Sequence, residues 1–365
     1  MSGRGGVRSM RPEDVPEVGR LFNRVFRDRD APSSADFDAY FAELCFGSPA
    51  FRPEAGSIVH LREDGAVDGA IGVVPMQVRA GEDLLTGRLM SIYMTDPDAP
   101  GRGGAELVLT IRPRHQDFCF CDSANAVSAD HYKAIGGLVL PVQSLAWHRT
   151  FRPVRAGIER VGGRLPAWAR RAGGVAAGTA DAVLRSIRTS LRQKETNGGV
   201  EAVDVEAFAQ IAPLFLDRFA VAPAWSKDEL AWLISMAARN TLHGPLQLHL
   251  VRDEWWKVAG AFACHAQKGG IAQVLNVLAR PKGEEMVVTT MLAHLDAAGC
   301  AGASGMTQPF LMDALCRQPH TSFRHRGYVC LSTRHGHIRD AAMRGDIYLG
   351  GLMGESWSRL MADFR

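Results

Sequence analysis

The sequence predicts a mixed α+β protein built from two tandem units, each a central mixed β-sheet flanked by helices. Three observations predict it. At 365 residues the chain exceeds one domain of ordinary size and suits two. Short β-branched and apolar runs alternate with segments whose apolar residues recur every three or four positions. The order of those segments then repeats: Gly69 is answered by Gly260 at an offset of 191, and Pro97 by Pro281 at 184. Slowly drifting offsets with a preserved element order mark an internal duplication altered by changes in loop length. The units fall at residues 8–152 and 200–365, after a loose Gly/Arg-rich start at 1–7 and on either side of a basic, partly helical connector at 153–199.

The first unit opens with a short strand running into a helix on which Val15, Val18, Leu21, Phe22, Val25 and Phe26 share a face. A second helix is expected at Ala35–Phe46, with Phe37, Tyr40, Phe41 and Leu44 on one side. Residues 57–65 and 67–78 read as a hairpin turning at Glu63-Asp64-Gly65. The apolar run 89–95 is a strand ended by Asp96-Pro97, since proline cannot continue a central strand. Gly101-Arg102-Gly103-Gly104-Ala105 then forms a glycine loop, and a helix opens at Glu106. Such a turn collects free backbone N–H groups and the positive end of the helix dipole, which suits a phosphate. A short strand at 118–121 is broken by Asp122-Ser123-Ala124-Asn125 and followed by a capped helix at 128–133.

In the connector nine Arg and Lys residues face only Glu159, Asp181 and Glu195, and Trp168, Leu184, Ile187 and Leu191 give it an apolar side. The plain reading is a solvated connector packed across the units; the sharper one is a peripheral membrane-surface contact. Beyond it, 203–219, 225–233, 248–262 and 274–281 echo the strand, helices, hairpin and strand of the first unit. Residues 345–351 read as a last strand, and Glu355-Ser356-Trp357 as a turn packed on it.

The stretch from Leu89 to Gly137 resembles the core of the GNAT-type acyltransferases, whose strand, pyrophosphate loop, helix, strand and helix hold acyl-coenzyme A. Gly103-Gly104-Ala105 fill the last places of the family loop, although its Gln/Arg place falls on Pro100; Tyr132 before Gly136 matches a family tyrosine. The resemblance covers about residues 8–152, and the duplication extends it to two such folds in tandem. The second copy carries Glu284 and Glu285 at the helix start, which stabilise a helix N-terminus by roughly 0.3 to 1 kcal/mol each but repel a pyrophosphate. At the Tyr132 position it has Leu315, which has no proton to give. The first unit is therefore the catalytic one, and the second a degenerate scaffold.

The resemblance implies an acyl-CoA-dependent N-acyltransferase, an acetyltransferase by preference, acting on a small-molecule amine by direct attack on the thioester. Backbone at Ile92, Tyr93, Met94 and Thr95 would pair with the pantetheine, and the carbonyl would be polarised by an N–H near Tyr93 or Met94. The pyrophosphate would sit on the amides of Gly101, Arg102, Gly103, Gly104 and Ala105, with Asn125 a further coenzyme contact. Asp96 or Asp122 would accept the amine proton and Tyr132 would protonate the departing thiolate. Plainer rivals stand beside these: Tyr132 as a helix residue reaching water, Asp96 as a turn-former, Asn125 as a cap, His131 as solvated. Cys119 and Cys121 share a strand face as core residues do. With neither them nor His335 and His337 joined by further ligands, no metal site is expected.

The composition, 46% hydrophobic and 22% charged, is that of a globular protein, and a net charge of +3 argues against DNA as a partner. Seven scattered cysteines, no signal peptide and no apolar run of roughly 20 residues point to the cytoplasm. The acceptor class suggested is an amino sugar or sugar nucleotide. Two other functions compete: a Fem-like transferase using aminoacyl-tRNA, and a non-catalytic tandem scaffold or acyl-CoA sensor.

Overall fold

The computed structural model describes residues 5–99, 101–161, 167–194, 196–360 and 364, with backbone alone at 160, 161 and 167–175. The apolar role expected of Trp168, the loop place at Pro100 and part of the Gly/Arg-rich start lie outside these residues.

The chain runs β1 (Gly6–Ser9), α1 (Val15–Arg27), α2 (Ala35–Phe46), β2 (Ile58–Leu61), β3 (Val67–Ala80), β4 (Asp83–Thr95), α3 (Arg102–Thr110), β5 (Phe118–Ala124), α4 (Ala126–Ala134), β6 (Leu138–Leu140) and β7 (Leu145–Thr150). Helices α5 (Pro153–Val161) and α6 (Ala167–Ile187) follow. Then come β8 (Gly199–Ala202), α7 (Val205–Ile211), β9 (Val221–Pro223), α8 (Lys227–Ala238), β10 (Leu246–Arg252), β11 (Val258–His265) and β12 (Ile271–Ala279). Last are α9 (Glu284–Ala297), β13 (Gly302–Met306), α10 (Met312–Cys316), β14 (Thr321–His325), β15 (Tyr328–Ser332) and α11 (Gly336–Arg344).

Local chemistry sets the boundaries. Ser34, Asn125, Asp204 and Ser226 each accept an N–H from the first turn of α2, α4, α7 and α8. Gly65 takes φ +88° at the β2–β3 turn. Phe22, Phe37, Phe41 and Tyr40 from the first helices, with Leu230, Leu233 and Ile234 of α8, enter one core that continues across both halves.

Two mixed sheets result, ordered β1-β2-β3-β4-β5-β15-β6, with β9 on β3, and β8-β10-β11-β12-β13-β7-β14. Element for element the two orders correspond, as the repeated sequence pattern anticipates. The sheets nonetheless do not follow the linear division of the chain. β7, from the first half, lies between β13 and β14 in the second sheet, while β15, from the second half, lies between β5 and β6 in the first. The first half thus lends β7 to the second sheet, and the second half lends β15, and the short β9, to the first.

Three local expectations are corrected. The glycine loop is helix: α3 starts at Arg102, so Gly103, Gly104 and Ala105 form its first turn. β5 continues through Asp122 and Ser123 to Ala124, because Ala124 still pairs with Tyr328 of β15 and Arg326 takes the Asp122 carbonyl. Residues 345–351 are not a strand. Gly345, Gly350 and Gly351 adopt φ of +73°, +81° and +62°, which no strand allows, and only Ile347 bridges to Val221.

Charged contacts tie α5 and α6 together and α6 to α9. Asp181 of α6 accepts the N–H groups of Val154 and Arg155 at the start of α5, and Asp296 of α9 pairs with Arg152 at 3.0 Å and Arg185 at 2.9 Å.

Candidate acyl-transfer site

β4 and β5 pair in parallel only from Gly87–Leu89 to Phe118–Phe120. Past that point they part, helped by a bulge: Gly72 pairs with Ile92 and Val73 with Met90, which leaves Ser91 unpaired. The opening is a cavity of about 180 Å³. Met90, Ser91, Ile92 and Tyr93 of β4 form one wall and Cys121, Ser123 and Ala124 of β5 the other. Val108 and Ile111 close it from α3, Asn125, Ser128, His131 and Tyr132 from α4, and Phe26 and Glu355 at the mouth.

Of the sequence-predicted residues, Ile92, Tyr93, Asn125 and Tyr132 meet at this cavity. Tyr132 is buried; its hydroxyl donates to Met90 Sδ at 3.4 Å and lies 4.0 Å from Cys119 Sγ. Burial first, then the neighbouring Cys119, holds that hydroxyl well above the usual phenol range, so it stays protonated. Asn125 caps α4 through an N–H from Ser128 at 2.8 Å. His131 is half-buried: its ring meets the Tyr93 ring edge-on at 5.9 Å, and its Nδ1 is buried without a hydrogen-bond partner among the described residues.

Other predicted residues lie apart from the cavity. Asp96 is buried, receives Arg24 Nη1 at 2.9 Å and accepts the Asp98 N–H at 3.1 Å, so it holds the turn after β4. Met94 is buried in the core. Thr95 and the Tyr93 hydroxyl face Gly104, whose carbonyl accepts from Tyr93 at 3.3 Å. A Cβ on Gly103 would meet His60 Nδ1 at 2.6 Å, so this glycine is required for packing α3 against β2. Arg102 pairs with Glu106 at 2.8 Å on the surface. Gly101, by contrast, has open space where a Cβ would sit at the helix start, and the first-turn N–H groups there have no partner within the helix.

The residue that sequence reasoning missed is Glu355. The chain end passes over β5 and sets its half-buried carboxylate against the hydroxyls of Ser123, which donates to it, and Ser91. Directly beneath is Asp122, whose Oδ1 accepts the Glu355 N–H at 3.2 Å and whose Oδ2 lies 3.6 Å from Arg326. A Cβ on Gly354 would overlap Asp122 Oδ2, so the approach needs glycine at that position. Burial, then the Asp122 charge, holds the Glu355 carboxyl well above the usual carboxylate range. The only signal in the sequence was an acidic residue directly after the glycines Gly350, Gly351 and Gly354.

No family model and no curated protein matches the sequence. Solved structures do match the fold. One is a conserved Enterococcus faecalis protein of unknown function described as a probable N-acyltransferase, 11% identical, with a TM-score of 0.58 over 90% of this chain and 72% of that one. Another is a GCN5-related N-acetyltransferase from Anabaena variabilis, 12% identical, with a TM-score of 0.55 over 90% and 72%. A third, from Kribbella flavida, is 12% identical with a TM-score of 0.53 over 90% and 71%. The chain has the fold of the GCN5-related N-acetyltransferases, in a two-sheet arrangement. Among the described residues no His/Cys/Asp/Glu group could hold a metal, and no helix is long and apolar enough to cross a membrane.

Proposed function

We propose that the chain is an acyl-CoA-dependent N-acyltransferase, with acetyl transfer to a small-molecule amine as the leading case. The observation that carries this is the parting of β4 and β5 beyond Leu89 into an apolar cavity that has a protonated tyrosine inside and a carboxylate at its mouth. The cavity fits an acyl-pantetheine: unpaired β4 backbone at the Ser91 bulge offers N–H and C=O groups along one wall, and Gly101 leaves the α3 start open to a pyrophosphate. In this reading the two units are residues 8–152 and 200–365, joined through 153–199, with β7 and β15 each placed in the other unit's sheet.

Glu355 takes a proton from the amine as its nitrogen forms the bond to the thioester carbon. The C–S bond breaks, and Tyr132 gives its proton to the leaving thiolate. In this mechanism Glu355 replaces both Asp96 and Asp122 as the base. Asp122 raises the proton affinity of Glu355, and Arg326 limits that effect. A carboxylate-headed cleft suits a cationic amine, an amino sugar or amino-sugar nucleotide included. Acyl-CoA as co-substrate goes with a cytoplasmic site of action. A membrane-surface contact by 153–199 is a separate proposal, checked by co-sedimentation with anionic vesicles.

Thermal-shift measurements with acetyl-CoA, free coenzyme A and tRNA test the reading. Stabilisation by the first two together with acyl transfer to amines is expected. Stabilisation by tRNA alone selects the aminoacyl-tRNA reading, and stabilisation by acetyl-CoA without turnover on any amine selects the sensor.

A further inference from the structure

In the second sheet β12 and β13 pair in parallel from Ile271–Gly302 to Val274–Gly305 and then part, as β4 and β5 do in the first. The space beyond is filled by the chain itself. Asn276 of β12 is buried, and its Nδ2 donates to the Tyr348 hydroxyl at 2.7 Å while its Oδ1 accepts the Leu352 N–H at 2.8 Å. Gln308, two residues past β13, donates to the Leu349 carbonyl, and Gln273 donates to the Ser356 carbonyl at 2.9 Å. Gly350 and Gly351 lie so close to Met306, Leu275 and Asn276 that a Cβ on either would overlap them. Tyr348, Leu349, Leu352 and Met353 are fully buried.

We infer that the second half's cleft has a built-in ligand, the segment 348–353, and that Asn276 is a positioning residue which, through this segment, fixes Glu355 over Ser91 and Ser123. The amide reads the segment on both sides, through a side chain and a backbone N–H, three residues before Glu355. Both bonds are buried, where a lost partner leaves an unsatisfied polar group. The groups facing Glu355 are Asp122 and Cys121 of β5, Arg326 of the β14–β15 turn and the hydroxyl of Ser91, with Tyr93, His131 and Tyr132 across the cavity. A shift of the segment therefore changes all of these contacts at once. The catalytic part of the inference rests on the acyl-transfer reading; the positioning part does not.

The test uses the full chain with Asn276→Leu, which removes both bonds, and Tyr348→Phe, which removes one hydroxyl and leaves the fold. The first readout needs no turnover: the rate of carbodiimide labelling of Glu355, followed by peptide mass spectrometry. It is expected to change at least roughly fivefold in Asn276→Leu and by less in Tyr348→Phe; unchanged rates in both overturn the inference. Should Asn276→Leu fail to fold, Tyr348→Phe decides alone. The second readout is kinetic. Asn276→Leu is expected to lower kcat roughly tenfold or more with the KM for acetyl-CoA unchanged, and to cost nothing further in a Glu355→Gln background. Equal losses in both backgrounds overturn the positioning role. Altered labelling in a protein without any transferase activity overturns the acyl-transfer reading and leaves the clamp standing.

Discussion

Arg326 donates to the backbone carbonyl of Asp122 at 2.6 Å and lies 3.6 Å from its carboxylate, and it does so from the turn at which the chain leaves the second sheet for the first. Its own N–H donates to the carbonyl of Ser144, at the opposite crossing, at 3.0 Å. The candidate site therefore sits where the two strand exchanges meet, and the chemistry and the assembly of the sheets share residues.

Glu355→Gln keeps the shape of the side chain and removes the base. Turnover is expected to fall by roughly 10²- to 10⁴-fold, with coenzyme affinity held. Because the carboxyl is raised, wild-type kcat/KM should climb with pH through a limb above the ordinary carboxylate range, and Asp122→Asn should move that limb to lower pH. A limb that does not move in Asp122→Asn would remove Asp122 from the mechanism.

Tyr132→Phe removes one hydroxyl from among Met90, Cys119 and Cys121. The melting temperature and coenzyme binding should hold while turnover falls roughly 10²- to 10⁴-fold. Unchanged turnover would make the hydroxyl structural.

Gly101→Asp separates helix from phosphate. The position is open and has φ −61°, which aspartate adopts without strain, so stability should hold. Coenzyme A affinity, measured by calorimetry, should drop at least roughly tenfold, about 1.4 kcal/mol. One binding site per chain is expected, because the second cleft holds residues 348–353 and Glu284 there is paired with Arg218 at 2.6 Å.

Glu229 tests electrostatics away from the site. Burial pushes its carboxyl up to about 7, against the N–H of Gln77 that it accepts. A raised carboxyl gives its stability contribution fully below the unfolded value near 4.5, and loses it as pH rises through about 7. Glu229→Gln should therefore melt several degrees above wild type at pH 8 and lose that advantage at pH 4. The same difference at both pH values would contradict the assignment.

What could be read from the sequence was whatever is local. The spacing of Val15 to Phe26, the Ala35–Phe46 helix and the β2–β3 hairpin are set by neighbours a few residues apart, and they stand where the pattern puts them. The duplication was also readable, because both copies keep the order of elements. The strand exchange was not: nothing in the short apolar runs of β7 and β15 says which sheet they join. Nor was Glu355, whose partners Ser91, Asp122 and Ser123 lie more than 200 residues away in sequence. The glycines misled for a different reason. Gly103 and Gly104 serve close packing against His60 and Thr95, a use of glycine that looks the same in sequence as a phosphate loop.

The exchange of β7 and β15 also sets a timetable for synthesis. β5 is made by residue 124, but the neighbour that covers its outer edge does not exist until residue 332. At roughly 5–20 residues per second, that edge stays open for on the order of ten seconds or more on the ribosome. β7 meanwhile waits for β13 and β14. Neither sheet can close before nearly the whole chain has emerged, so the two halves must finish folding together, and a truncated product presents unpaired strands to whatever chain is nearest.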